Sequence, residues 1–235
     1  MKLLAMDSSA LVASVAIIED DVLAAEYTVN HKKTHSQTLM GMLDEIVKMT
    51  ELDMASIDAI AVAKGPGSFT GLRIGSATVK GLAMALDKPV VAVPTLDALA
   101  YNMWGCSNII CPIMDARRSQ VYTGCYTFED GELVVLEPQQ AIDIRRLASM
   151  LNEKGREVIF LGDGVPVYAD IIKEEMKVPY SFAPAMMNRQ RAASVGALGA
   201  VYFSRGISED AASHVPVYLR QSQAEREKSE RESNC

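Results

Sequence analysis

The hydrophobic positions of this chain fall into short runs separated by turn residues and by helical periodicities. Residues 2–6 are apolar after Lys2 and end at Asp7-Ser8-Ser9. A second run covers 10–18, the charged stretch Glu19-Asp20-Asp21 follows, and a third run covers 22–29. Three β-compatible runs joined by short turns predict an antiparallel meander. Leu39, Met42, Leu43, Ile46 and Val47 then recur at three- and four-residue spacing, which predicts a helix from Ser36 to about Met49. A short strand at 57–63 is broken by Gly65-Pro66-Gly67-Ser68, and a helix is expected from Thr70 to Leu86 with Ser68 or Thr70 as its cap. The run Val90–Val93, closed by Pro94, is another strand. Strand, helix, strand, helix and strand at this spacing imply parallel crossovers, so the first part of the chain reads β-β-β-α-β-α-β.

The remainder reads in a similar order. A helix over 95–104 leads to strands at 109–114, 121–128 and 133–136, with Asp130-Gly131 as a tight hairpin turn. A helix at 142–154, a strand at 158–161, the loop Gly162-Asp163-Gly164 and helices at 165–176 and 190–205 complete this second half. Each half opens with an apolar strand ending in an aspartate, Asp7 or Asp115, and continues with two more β runs. This is an internal repeat of pattern rather than of identity. From Gln221 to Cys235 the chain holds four Glu, two Arg and one Lys with almost nothing apolar. Such a tail cannot bury enough surface to offset its ordering entropy.

Composition narrows the class. With 49% apolar and 23% charged residues, 235 residues can build a core without disulfides or metals. The net charge of −7 argues against gripping nucleic acid by bulk electrostatics. It leaves room for a local patch, or for RNA met through a partner. Arg117-Arg118 and Arg189 with Arg191 are such local patches, or ordinary solvated surface. Cys106, Cys111, Cys125 and Cys235 form no CxxC pair or zinc-ligand set and read as free thiols of a reducing compartment. The start MKLLAMDSS lacks a signal-peptide core, and no uninterrupted apolar stretch approaches ~18 residues, so a cytoplasmic protein without a membrane span is expected.

Three segments bear on chemistry. Gly65-Pro66-Gly67-Ser68-Phe69-Thr70-Gly71-Leu72-Arg73-Ile74-Gly75 opens a helix and offers free N–H groups to an anion. A Walker A loop, however, would need Lys and a hydroxyl residue where Leu72-Arg73 stands. Gly71, Gly75 and Gly81 each cost a helix about 1 kcal/mol relative to Ala. Gly71 and Gly75 form one small row and Ala77, Gly81 and Ala85 another, and such rows admit a second helix closely. With Met40, Met42 and Met49 on the preceding helix, they suggest a packing face, either between chains or within this one. Asp7-Ser8-Ser9, Asp115 and Gly162-Asp163-Gly164 are places for metal-bound phosphate and nucleotide, or simple strand-ending turns. His31 and His35 have helical metal-ligand spacing but no third ligand, and Lys32 and Lys33 disfavour a dication. Three histidines and no GxSxG elbow give no support to nucleophilic hydrolysis.

Leu4-Ala5-Met6-Asp7-Ser8-Ser9, His35-Ser36, the glycine segment, Asp115-Ala116-Arg117-Arg118-Ser119-Gln120-Val121-Tyr122 and Pro216-Val217-Tyr218-Leu219-Arg220 together resemble the TsaB family, also called YeaZ. The resemblance implies an α/β fold of two domains of the actin/Hsp70/sugar-kinase superfold with mixed sheets. Residues 1–95 would form the N-terminal domain and 96–220 the C-terminal one, with 221–235 outside. It implies a non-catalytic part in making N6-threonylcarbamoyladenosine at position 37 of tRNAs reading A-starting codons. The chain would pair with the catalytic TsaD subunit, with the ATPase TsaE joining and tRNA met indirectly. Alone it would form a homodimer through the same two helices. The implied contact residues are His35, Leu39, Met42, Leu43, Gly71, Leu72, Ile74, Gly75 and Thr78. Asp7, Ser8, Asp115, Gly162 and Gly164 would line a vestigial nucleotide pocket, with no metal and no cofactor. The His31-to-His35 segment departs from the His-x-Glu-Gly-His pattern of TsaD-like proteins, and Gln37 stands where this family usually has an acidic residue. The alternative is an independent nucleotide-dependent phosphotransferase or ATPase of the same superfold, using Asp7 and Asp115.

Overall fold

The computed structural model describes residues 1–30 and 35–220, apart from the side chains of His35 and Ser36. The expectations placed on His31 to Thr34 and on the tail 221–235 lie outside the described residues. Strands β1 (Lys2–Asp7), β2 (Ala13–Glu19) and β3 (Val22–Val29) form the antiparallel meander. Strands β4 (Ala59–Ala63) and β5 (Val90–Val93) join in parallel on the other side of β1, giving the order β3-β2-β1-β4-β5. Central strands β1 and β4 are apolar on both faces and almost wholly buried, as strands covered on two sides must be. Helices α1 (His35–Thr50) and α2 (Phe69–Leu86) cover one face, where Leu39, Leu43, Ile46, Val79 and Ala83 meet Leu4, Val15, Ile60 and Val62. Each fully buried Leu, Ile or Val contributes about 1.5–3 kcal/mol.

After the short helix α3 (Thr95–Tyr101) the plan repeats. Strands β6 (Ile109–Asp115), β7 (Gln120–Glu129) and β8 (Glu132–Asp143) form a second meander. Helices α4 (Ile144–Lys154) and α5 (Val165–Glu175) lead into β9 (Val158–Leu161) and β10 (Tyr180–Phe182), which continue the sheet in parallel from β6. The order β8-β7-β6-β9-β10 reproduces the first sheet strand for strand, so the pattern repeat is a structural one. The fold is α/β with two mixed sheets, as expected.

Three details differ from the sequence reading. Strand β8 runs on to Asp143 through Pro138, which an edge strand tolerates because its outward N–H has no ladder partner to lose. Strand β10, only three residues long, carries too little pattern to be seen. Helix α6 (Ala192–Ser204), read as completing the second half, packs on the first sheet instead. Its Val195 and Leu198 lie on Leu3, Ala61 and Val93, over a face made largely of alanine. A Cβ at Gly196 would collide with Ile18, and one at Gly199 with the Ala61 methyl, so α6 is drawn close to this face. Helix α3 stays with its own half and buries Leu96, Leu99 and Ala100 against Ile110, Met114 and Leu161 of the second sheet. The halves are therefore tied by α6, which crosses to the first sheet and also meets α3. Asp97 of α3 sits at the tie: its carboxylate accepts from Tyr126 Oη of β7 (2.8 Å), Gln139 Nε2 of β8 (2.6 Å) and Tyr202 Oη of α6 (3.4 Å). Burial pushes this carboxyl above the ordinary aspartate range, and the three donors pull it back only in part.

Candidate partner face and closed strand-end turns

The glycine segment folds over the turn that ends β1. Ser68 caps α2, its Oγ accepting from Gly71 N (3.3 Å), and Ser68 N donates to Ser9 O (2.6 Å). A Cβ at Gly67 would collide with the Ser9 carbonyl, one at Gly71 with the Ser8 carbonyl and one at Gly75 with Ser8 Oγ. Ser8 Oγ donates to Gly71 O (2.9 Å). The Gly71–Gly75 row thus serves close approach within this chain, to its own β1 turn. Asp7 is 1% exposed, and its Oδ1 accepts from both Ser9 N (2.8 Å) and Ser9 Oγ (2.6 Å). At this turn Ser8 packs under Gly71 and Gly75, and both bonds from Ser9 fall on one oxygen, Oδ1, of the Asp7 carboxylate.

The second strand-end turn is built separately. Asp115 Oδ1 accepts from Tyr168 Oη (2.9 Å) and Arg117 N (2.8 Å). Gly162 and Gly164 lie against the Ile113 carbonyl, Gly164 N donating to it at 3.0 Å. A Cβ at Gly162 would collide with that oxygen, and its φ of +108° suits glycine alone. Between them Asp163 is pushed up by burial. The five pocket residues named from sequence therefore form two groups, Asp7 with Ser8 and Asp115 with Gly162 and Gly164. Among the described residues no group of three His, Cys, Asp or Glu is placed to hold a metal ion, and no helix is long and apolar enough to cross a membrane.

The expected contact residues also divide. Leu39, Met42 and Leu43 of α1 and Gly71, Leu72 and Gly75 of α2 are buried in this chain's own core. The physical reason is that three- and four-residue apolar spacing marks the stripe a helix turns to its own sheet. Ile74 and Thr78 are half-buried at the surface, and His35 opens α1. The second small row lies outward: Ala77, Gly81 and Ala85 are exposed, and a Cβ at Gly81 would meet nothing within 4 Å. Met84 on α2 and Met40 and Met49 on α1 are exposed at 65%, 49% and 77%. The row with Met84 is the α2 part of the surface open to another chain, whereas Met40 and Met49 lie on opposite flanks of α1, Met49 beside Tyr27 and Val29 of β3. Sequence reasoning named the row but not its direction.

Reasoning from residue types missed the anchor at the start of α2. Tyr218 stacks on Phe69 with ring centroids 3.9 Å apart and planes 10° from parallel. The Arg73 guanidinium lies 4.9 Å from the Phe69 ring, and its Nε donates to Tyr218 Oη (3.3 Å). Val217 N donates to Lys64 O (2.7 Å), so residues 217–220 are strapped beside the glycine segment.

Comparison with known proteins assigns the family. The family model for TsaD, tRNA N6-adenosine threonylcarbamoyltransferase, matches residues 23–228. The tRNA threonylcarbamoyladenosine biosynthesis protein TsaB of Bacillus subtilis is 35% identical over 225 residues, 96% of each chain. The TsaB of Escherichia coli is 29% identical over 178 residues, covering 74% of this chain and 76% of its own. The solved structure of YeaZ from Pseudomonas aeruginosa superposes with a TM-score of 0.80 at 29% identity, covering 93% of this chain and 99% of that one. With the glycine segment and the strapped C-terminal Tyr218-Leu219-Arg220 inside the span of the family model, and 35% identity over 96% of the chain, this chain belongs to the TsaB family of tRNA threonylcarbamoyladenosine biosynthesis proteins.

Proposed function

We propose that this member of the threonylcarbamoyladenosine pathway is a non-catalytic accessory subunit, pairing with a catalytic TsaD-type protein through the outward strip of α1 and α2. The observation that carries the reading is the exposed Ala77–Gly81–Ala85 row beside Met84 on α2. A helix of small residues lets a partner backbone approach closely, and methionines adapt to the surface they meet. Residues 1–95 supply this face, and 96–220 support it through α6, which packs on the first sheet. The same strip serves self-association when the chain is alone. A TsaE-type ATPase and the tRNA, to be modified at position 37, join the assembly. The work is done in the cytoplasm, and no metal or nucleotide of this chain's own is required. The closed Asp7–Ser9 turn supports this over a phosphotransferase, which would need that carboxylate open to metal-bound phosphate.

The test is size-exclusion chromatography with light scattering on a mixture with the TsaD-type protein of the same cell. A heteromer is expected at micromolar concentration, and two unshifted species would overturn the pairing. This chain, given threonylcarbamoyl-adenylate and tRNA alone, is expected to form no modified adenosine. Product at a rate comparable with the full assembly would overturn the non-catalytic role.

A further inference from the structure

Arg117, Arg118 and Ser119 have φ of +66°, +55° and +57° in succession. Gln120 N donates to Arg117 O (3.1 Å) and Ala116 N to Gln120 O (2.9 Å), so β6 and β7 are joined by a tight left-handed hairpin turn. Such a turn ordinarily takes Asn-Gly, Asp-Gly or Gly-Gly at its centre. The other two hairpins with two-residue turns carry Asp20-Asp21 and Asp130-Gly131 at positive φ, residue types that tolerate it. Here the central pair is Arg118-Ser119, with Arg117 before it, a backbone that side chains of this size rarely adopt.

The surroundings hold it in place. Asp115 Oδ1 accepts from Arg117 N (2.8 Å), Ile144 N donates to Ser119 O (3.0 Å), and Arg220 Nη1 donates to Ala116 O (2.8 Å). Arg220 is itself positioned, because Tyr218, two residues before it, is stacked on Phe69. The braced turn thus carries exposed Arg117 and Arg118 and receives the Arg220 guanidinium at its Ala116 carbonyl. The Arg117 side chain is 88% exposed, and its nearest carboxylate, Asp115, stands 3.8 Å away and is shared with Tyr168. Among the described residues no carboxylate pairs with Arg118 or Arg220.

From this juxtaposition we infer that the β6–β7 turn, with Arg117, Arg118 and Arg220, is a contact for the phosphate backbone of the tRNA substrate. The inference rests on the family's place in tRNA modification. Guanidinium forks match phosphate oxygens bidentately. A turn already fixed loses little freedom on binding. Because the chain as a whole carries −7, RNA approaches it most readily where arginines locally outnumber carboxylates, as Arg117, Arg118 and Arg220 outnumber Asp115 here.

The test titrates a fluorescent tRNA transcript into the assembly with its TsaD-type partner, and into this chain alone, over a range of salt. The double variant Arg117→Ala/Arg118→Ala is expected to weaken tRNA binding at least tenfold at low salt. Two lost phosphate contacts should make the slope of log K against log salt shallower by about 1.5–2. Arg118→Gly, which suits the turn better, is expected to raise the melting temperature by about 2 °C while still weakening tRNA binding. Light scattering on the same variants reports pairing. A heteromer that persists while tRNA affinity falls supports the inference. Unchanged affinity and salt slope would overturn it, and so would loss of the heteromer in these variants, which would make the turn a protein contact. Should the wild-type chains fail to pair at all, the pairing reading falls, and the titration of this chain alone still decides the turn.

Discussion

Substitutions at Gly71 and Gly81 of α2 are expected to act in opposite directions, although the two residues share a helix and lie ten positions apart. A Cβ at Gly71 would strike the Ser8 carbonyl oxygen, a backbone atom fixed by the β1 turn and unable to rotate away. Gly71→Ala gains about 1 kcal/mol of helix propensity, but overpacking of this kind costs about 1–3 kcal/mol and a forced backbone shift adds to it. A net loss of about 1–2 kcal/mol follows, which for a domain of this size lowers the melting temperature by about 2–8 °C. A Cβ at Gly81 would meet nothing within 4 Å, so Gly81→Leu starts into open space. It gains about 0.7 kcal/mol of propensity at an exposed helical site, and the melting temperature should rise by about 2 °C. The same leucine stands in the middle of the outward row and should hold a partner helix away, lowering affinity by at least tenfold, about 1.4 kcal/mol. Differential scanning fluorimetry gives the first pair of numbers, and titration of the TsaD-type partner by light scattering gives the second. A destabilised Gly81→Leu, or one that pairs as tightly as wild type, would refute the assignment of the row. A Gly71→Ala protein as stable as wild type would refute the close approach to Ser8.

Ser8→Ala removes the hydroxyl that blocks a Cβ at Gly75. Gly75→Ala should therefore cost at least 0.5 kcal/mol less in the Ser8→Ala background than alone, a coupling readable from urea unfolding of the four proteins. Asp7→Ala deletes an acceptor of two buried bonds from Ser9 and should lower stability by about 1–3 kcal/mol. Its effect on modification rate at saturating partner should stay under tenfold, and a larger loss with the fold intact would put the carboxylate in the chemistry. Asp97 has a native carboxyl raised above 3.8 by burial, so the folded chain holds its proton at pH values where the unfolded chain has released it. Its contribution to stability is therefore greatest below the unfolded value and declines as pH rises from there through the raised native value. Asp97→Asn should flatten that decline in urea midpoints measured across the acid range, and an unchanged slope would contradict the burial argument.

Much of the architecture was legible because it rests on local pattern. The meanders, the crossover helices and the repeat from Asp7 to Asp115 follow from apolar spacing and turn residues. The elements that escaped depend on tertiary context. Pro138 looks like a stop and is tolerated because β8 is an edge. Residues 180–182 become a strand only because β9 lies beside them. The destination of α6 depends on an alanine-rich face contributed by β1, β2 and β4, which no window around residues 192–204 contains. The candidate site shows the same division. Two small rows with equal spacing run along α2, and periodicity alone does not say which faces the sheet. Glycine at 71 and 75 answers to Ser8, sixty-odd residues away, whereas Ala77, Gly81 and Ala85 answer to nothing in this chain. The positive φ at Arg117, Arg118 and Ser119 was hidden for a related reason, since those residue types give no turn signal and the bracing comes from Asp115, Ile144 and Arg220.

The central claim, an indispensable subunit that does no chemistry itself, is tested most directly by reconstitution with single omissions. This chain, the TsaD-type protein, the TsaE-type ATPase, the adenylate-forming enzyme, tRNA, threonine, bicarbonate and ATP are combined, and modified adenosine is quantified by mass spectrometry with and without this chain. The account expects product only when this chain is present and none when it is the sole subunit alongside the adenylate-forming enzyme. Equal product in its absence, or product from it without the TsaD-type protein, would contradict the account.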